Sequence, residues 1–349
     1  MTALHPTYSH NPVGSVAALA RTLGVAESHL SYVVSRRNEF VRANTPEKKK
    51  NGGIRQTYTF LDPLDDIQKR ILKNFLKRVT YPEYLKGSIQ GRDYVADASA
   101  HADAVTIIQE DVTDFFPSTS REIVLGIWKG VFHFPDTVAD VLTDLTTLNE
   151  CIPQGARTSS YLANLTFWRK EPSVVAMLAL QDIRYTRYVD DIVVSASRKL
   201  DNSVKSEIIA QVYALLKSHG FKPSRSKHAI MSQGRKSLEK KPRGLYVHGL
   251  KVQNGRVLYD KPRRRAIRAE TDQFTKSMTK GEIVGVDAAK RFDSIHGKIL
   301  AMKLLHPREA NNLLALIEPF KEIVEPYRTK NQKPSGKHKA RKSTAKMAT

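Results

Sequence analysis

The sequence predicts an α+β fold built from two or three subdomains. Two observations lead there. Short runs rich in β-branched and aromatic residues, such as "AVTIIQED" and "TRYVDDIVVSA", are interspersed with amphipathic segments of helical period, such as "DPLDDIQKRILKNFLKRV" and "SEIIAQVYALLKSHGF". The chain has 349 residues, more than one small core accommodates, and its 40% apolar content is ordinary for a globular protein. The subdomains are expected to share a continuous core.

The elements follow in order. "SVAALARTLGV" sets Val16, Leu19, Ala20 and Leu23 on one helical face, Gly24 ends that helix, and "ESHLSYVVSRR" starts another. The pair reads as a DNA-binding helix-turn-helix or as a helical hairpin packed on the next domain, and so short a pattern favours the hairpin. "TPEKKKNGG", 45–53, is a basic turn leading into the strand "IRQTYTF". A helix then starts behind an Asp62 cap and Pro63, with Ile67, Ile71, Leu72 and Phe75 as its stripe. "AVTIIQEDVTDFFPS" is a strand ending in a turn at Pro117. A helical stretch spans 120–149, and "IPQGARTSSYLANLTFW" is a loop that opens a helix. A hairpin around Asp190-Asp191 comes next, then a helix ending at Gly220, short strands over 243–258, and basic helices after Pro262. The last twenty residues carry seven Lys/Arg and no acid, a composition that should stay disordered without a partner.

Charge narrows the function. There are 57 Lys plus Arg against 35 Asp plus Glu, a net +22 with a pI near 9.9. Such an excess is the footprint of a polyanionic partner, nucleic acid first and an anionic membrane surface second. The one cysteine, Cys151, excludes an intrachain disulfide and a Cys-rich zinc site and fits a reducing cytosol. The N-terminus lacks the basic and apolar regions of a signal peptide. The longest apolar run, "VVAMLAL", is too short to span a bilayer, so no membrane partner is expected. The eleven histidines show no zinc spacing, and His101, His219 and His228 read as ordinary. "GSIQGRD" lacks the Gly-Lys-Ser/Thr ending of a P-loop.

Asp190 and Asp191 are the exception to local comfort. They sit where two strands meet in a tight turn, a place that Asn-Gly or Asp-Gly would fill easily. Adjacent carboxylates at a strand end can share a divalent cation, and oxygen-only ligands select Mg²⁺ over zinc or copper. A solvated acidic turn explains the dipeptide equally well. Asp111, delivered by a second apolar strand with Asp114 three residues on, shifts the balance. If the two strands pair, three carboxylates meet at one sheet edge, enough for two Mg²⁺ ions that clamp the attacking and leaving oxygens of phosphoryl transfer.

"DVTDFFPS", "IPQGARTSSYLANL" and "YVDD", in that order, resemble three consecutive palm motifs of the reverse transcriptases. "GGIRQTYTFLDPLDDIQKRIL" and "GSIQGRDYVADASAH" resemble the fingers motifs. "HGFKPSRSKH" resembles the motif after the active site, and "VHGLKVQNGRV" the palm–thumb strands. The likeness covers about residues 15–270 and is greatest to the bacterial retron type, by compact length and by a helical N-terminus running into the fingers.

The resemblance implies a right-hand polymerase fold. Its parts would be an N-terminal helical segment (1–45), fingers with the start of the palm (46–110), a palm with an antiparallel sheet (111–255, with a helical insertion near 120–150), a helical thumb (256–329) and a basic flexible tail (330–349). It implies that Asp111, Asp190 and Asp191, with the carbonyl of Val112, bind two Mg²⁺. Phe116 would be the steric gate against ribonucleotides, and Gln154 and Gly155 would lie under the incoming nucleotide. Arg55 and Arg92 would clamp the triphosphate near Asp114, and Lys227 would act as general acid toward pyrophosphate. Lys261, Arg263, Arg264, Arg265 and Arg268, at the start of the thumb, are candidates for gripping RNA.

The implied partners are a cognate noncoding RNA serving as template and primer, dNTPs, a single-stranded DNA product and a separate effector protein in antiphage defence. The chain departs from the retron pattern at Asp97 (usually Asn), at His248 (usually Thr) and at Arg157 and Ser160 (commonly Pro). Competing readings are another defence-associated or group II-like reverse transcriptase, and a non-enzymatic DNA-binding regulator built on the N-terminal helices. Three clustered acids argue against the regulator.

Overall fold

A computed structural model describes residues 4–49, 52–233 and 244–328. The predicted basic tail lies outside the described residues. The chain divides into two compact units, residues 1–257 and 258–349.

The first unit begins with α1 (Val16–Leu23) and α2 (Glu27–Ser35). Ser15 caps α1, and Gly24 ends it in the left-handed region at φ +67°. Leu19, Ala20 and Leu23 are buried where α1 packs on α2, α3 (Leu64–Asn74) and α7 (Asp136–Thr146), so the two helices form a packed hairpin. α3 starts at Leu64 behind Pro63 rather than at an Asp62 side-chain cap, and it buries Ile67 and Ile71 as its period predicts. Small two-stranded ladders join β1 (Val41–Ala43) to β4 (Tyr58–Phe60) and β2 (Glu47–Lys48) to β3 (Ile54–Arg55). The helical stretch predicted over 120–149 is α6 (Arg121–Gly130) and α7, separated by a turn.

The centre is an antiparallel sheet of β5 (Thr106–Asp111), β6 (Ile183–Tyr188), β7 (Asp191–Ala196) and β8 (Ala229–Ser232), in the order β6-β7-β5-β8. β5 and β7 are almost wholly buried, which matches their continuous apolar runs. The helices α4 (Tyr94–Ala100), α8 (Ser159–Leu165), α9 (Glu171–Ala179) and α10 (Asn202–Lys217) complete the layer, and α5 (Phe115–Ser118) is one short turn after β5. One apolar cluster runs from Leu19 to Phe221 within this unit. β9 (Leu245–Val247), β10 (Leu250–Gln253) and β11 (Arg256–Leu258) make a further three-stranded sheet.

The second unit is helical: α11 (Lys261–Thr279), α12 (Gly285–Lys303), α13 (Pro307–Ile317) and α14 (Lys321–Val324). It has its own core of Phe274, Phe292, Ile295, Ile299 and Ile317. Among the described residues no helix is long and apolar enough to cross a membrane.

Beneath the β6–β7 turn lies a fully buried ion pair. The Arg187 guanidinium donates to both Glu171 carboxylate oxygens, at 2.6 and 2.8 Å, and to the carbonyls of Val189 and Asn164 at 2.9 Å each. Glu171 also accepts from the Tyr185 hydroxyl at 2.8 Å. Phe167 faces the guanidinium at 5.2 Å. Removing one partner strands the other's charge in the core. Glu171→Ala should therefore cost about 3–5 kcal/mol in denaturant unfolding, whereas Glu171→Leu combined with Arg187→Met should cost much less.

Candidate active site

The register sets the site. Asp111, last in β5, pairs with Asp191, first in β7. Tyr188 pairs with Asp191 across the hairpin, so the turn is Val189-Asp190, one residue earlier than the sequence suggests. Val189 takes φ +59°. Positive φ at only the first turn residue is the pattern of a type II′ turn, whose first position normally takes glycine. A β-branched residue there costs about 1–3 kcal/mol. Arg187 holds the Val189 carbonyl from below. Gly87 closes on the turn so tightly that a Cβ would lie 2.7 Å from Val189 Cγ2, and the Gly87 carbonyl is itself held by Asn164 at 2.8 Å. The Val112 N–H donates to the Asp190 carbonyl at 3.1 Å, tying the two strand ends together.

Asp111, Asp190 and Asp191 present carboxylate oxygens that all lie within 4.8 Å of one another. Burial pushes the Asp111 carboxyl up to about 6; Asp191 adds to the rise and the Lys227 ammonium opposes it. Burial also raises Asp190, aided by Asp111, and raises Asp191, aided by Asp190. The Lys227 ammonium lies 2.5 Å from Asp111 Oδ2. Crowded, partly buried, oxygen-only donors with one lysine as counter-charge fit a hard divalent cation.

A cavity of about 910 Å³ opens in front of the cluster. It is bordered by Asp111, Val112, Asp190, Lys227, Asp114 and Phe116, and by Arg55, Gln154 and Gly155 on other segments. Nine of the predicted site residues thus share one cavity. Phe116 is half-buried, its ring edge-on to Phe115. Gly155 has φ +115°, and a Cβ there would meet the Tyr58 carbonyl at 2.2 Å. The Tyr58 N–H donates to the Gln154 carbonyl at 2.8 Å, seating this loop on the fingers ladder. Arg157 grips Asp65 of α3 with two 2.6 Å bonds, a second tie to the same loop.

Asp191 borders a smaller cavity of about 240 Å³ with Asp111, Lys227, Tyr246 and His248.

Sequence reasoning missed several of these groups. Lys49 pairs with Asp114 at the cavity edge, and Lys48, Ser224 and Ser226 line the wall. The basic run "EKKK" was the available signal for the lysines; the serines left none.

Arg92 departs from the triphosphate clamp that the resemblance implies. Its guanidinium donates to the carbonyls of Tyr81, Pro82 and Leu85, and it does not border the cavity. A forked donor serves a turn rich in inward carbonyls as well as it serves phosphate. Of the candidate RNA-gripping residues, Lys261, Arg263, Arg265 and Arg268 are exposed on α11, while Arg264 and Arg268 both pair with Glu309, at 2.7 and 3.0 Å. His101 is buried between Ser195 and Thr186, His228 meets Glu110, and His219 packs on Phe167, so all three are structural.

An antiparallel sheet that gathers three metal-competent carboxylates at one end, two of them bordering a cavity that the β2–β3 ladder also lines, fits a right-hand nucleic-acid polymerase. Residues 47–258 match the reverse transcriptase (RNA-dependent DNA polymerase) family. The Retron Se72 reverse transcriptase of Salmonella heidelberg is 30% identical over 97% of this chain and 88% of its own length. The Retron Ec48 reverse transcriptase of Escherichia coli is 28% identical over 73% of this chain and 62% of its own length. A solved Candida albicans telomerase in complex with a fragment of telomeric RNA aligns with 86% of this chain and 68% of that one, at 12% identity and a TM-score of 0.44. The chain belongs to the reverse transcriptase family, in its bacterial retron type, and is an RNA-directed DNA polymerase.

The raised carboxyls have a measurable consequence. A carboxyl whose folded-state pKa exceeds its unfolded value favours folding when protonated, and that stability is lost as pH rises through about 6 for Asp111. Without divalent ions at pH 7, Asp190→Asn should therefore melt at a higher temperature than the parent chain. The gap should close toward pH 4 and when Mg²⁺ is added to the parent.

Proposed function

We propose that this enzyme copies a cognate structured noncoding RNA, which serves as both template and primer, into single-stranded DNA by nucleotidyl transfer from dNTPs at a two-Mg²⁺ site. The observation that carries this reading is the meeting of Asp111, Asp190 and Asp191 in one cluster, with Asp111 and Asp190 bordering a cavity that Arg55 and Lys227 also line. Asp111, Asp190 and Asp191, with the Val112 carbonyl, would hold the ions. Divalent cations there supply charge stabilisation to the attacking and leaving oxygens. Arg55 and Lys227 would offer cationic groups to a triphosphate, and Lys227 would give a proton to departing pyrophosphate. Gln154 and Gly155 form the surface under the nucleotide, and the Phe116 ring crowds a ribose 2′-hydroxyl. Lys261, Arg263, Arg265 and Arg268 would meet RNA phosphates. The placement in antiphage defence, with a separate effector protein in the cytoplasm, rests on the retron likeness.

Protein expressed with its native flanking DNA should co-purify with a DNA of defined length joined to RNA through a 2′–5′ linkage, detected by debranching and sequencing. DNA with a free or protein-linked 5′ end would overturn the retron template reading.

Asp191→Ala should cut dNTP incorporation about a thousandfold or more, as expected for the loss of several kcal/mol of transition-state stabilisation, while RNA binding persists. Phe116→Ala should raise the kcat/KM ratio of GTP to dGTP. An unchanged ratio would assign the ring to packing alone.

A further inference from the structure

We propose that Asp97 and His248 act as one positioning unit that fixes the Asp191 arm of the carboxylate cluster, so that cation affinity there depends on two side chains that are not themselves ligands. This rests on the metal reading given above.

The geometry begins at the β9–β10 turn. Val247 pairs with Leu250, so His248 and Gly249 are its two residues. Their φ values are +50° and +73°, the pattern of a type I′ turn. Histidine is an uncommon choice at its first position, where asparagine is at ease. The turn tip projects the imidazole toward the β6–β7 turn, with its ring 4.8 Å from that of Tyr188.

One ring nitrogen is anchored. His248 Nε2 donates to Asp97 Oδ2 at 2.6 Å. Asp97 is fully buried on α4, which packs against β6, β9 and β10. Its other oxygen, Oδ1, has no hydrogen-bond partner. His101 Nε2 stands 3.9 Å from that oxygen, but both His101 nitrogens are engaged, with Ser195 at 2.6 Å and Thr186 at 2.8 Å. Among the described residues His248 is therefore the one side-chain hydrogen-bond partner of a buried carboxylate.

The opposite nitrogen, Nδ1, faces Asp191 Oδ2 at 3.9 Å. On its other side Asp191 meets Asp111, its partner in the β5–β7 register. Asp191 thus stands between its register partner Asp111 and an imidazole that Asp97 orients, the imidazole being near enough to act on it electrostatically though not to hydrogen-bond it directly. A buried carboxylate is a costly way to hold a surface turn, and carboxylate–histidine pairs recur at ion sites, where the carboxylate fixes the orientation of the imidazole. Asp97 and His248 are also two of the four positions at which the chain departs from the retron pattern. They touch each other, so the two departures amount to one exchange of a contact.

The test is Mn²⁺ binding to the nucleic-acid-free protein by electron paramagnetic resonance, with melting temperature measured in parallel. His248→Ala should weaken Mn²⁺ binding about tenfold or more. It should also lower the melting temperature, because Asp97 is left without its partner. The double variant Asp97→Asn/His248→Ala removes the stranded charge. It should regain the melting temperature and keep the weakened Mn²⁺ affinity. His248→Gln, which keeps an N–H for Asp97, should lie between His248→Ala and the parent in affinity. Recovery of both stability and affinity in the double variant would overturn the proposal and leave the pair a packing device. Unchanged affinity in His248→Ala would overturn it as well. Failure of the parent chain itself to bind Mn²⁺ would overturn the metal reading on which the pair rests.

Discussion

The active site depends on one buried cation. Arg187 lies beneath the turn that presents Asp190, and its guanidinium reaches Glu171 on α9, Asn164 at the end of α8 and Val189 in the turn itself. Its own backbone N–H and carbonyl bond to the segment around Tyr84 and Lys86, which leads into Gly87. The α8–α9 segment and the β6–β7 turn therefore converge on the guanidinium, while the segment around Tyr84, about a hundred residues earlier, is held by the backbone of the same residue. A neutral side chain could fill the volume, but it could not satisfy that many oxygens in one plane. Val189 keeps a backbone conformation that suits glycine because this clamp and the close approach of Gly87 leave it no other.

The site above is an electrostatic compromise. Three carboxylates share one sheet edge in a chain of net charge +22. The surrounding basic charge draws a polyanion toward the cavity, while the cluster by itself repels one. Lys227 lies between these tendencies, close to Asp111 and facing the cavity. The carboxyls are raised because burial and their mutual repulsion outweigh the help they receive from Lys227.

Much of this was legible in the sequence. Asp111 stands out because an apolar strand ends in a polar turn, and Asp190-Asp191 because an acidic pair interrupts strand-forming residues. α10 and α3 follow their periods, and the α1 stop follows Gly24. What escaped was side-chain pairing across long separations. Arg187 reads as one more strand residue, and Glu171 as an ordinary acid in a first helical turn; only the packing of α9 on β6 brings them together. Arg92 carried a misleading signal, because a fork of donors suits carbonyls and phosphates alike. Asp97 and His248 each looked like an isolated substitution, and the sequence contains nothing to say that they touch.

The sheet order also sets a timetable for synthesis. β5 lies between β7 and β8, so Asp111 leaves the ribosome well before the strands that flank it exist. At about 5–20 residues per second, the wait until β8 appears lasts several seconds or more. The N-terminal hairpin waits too, since α1 needs α3 and α7. Until β7 emerges, the apolar strand β5 has no partner on either edge, and until β8 emerges one edge stays open. A nascent chain with such an unpaired strand is open to capture by chaperones or by other chains. The polymerase cannot acquire activity piecemeal: the residues of its cluster become neighbours only once the palm sheet closes as a unit.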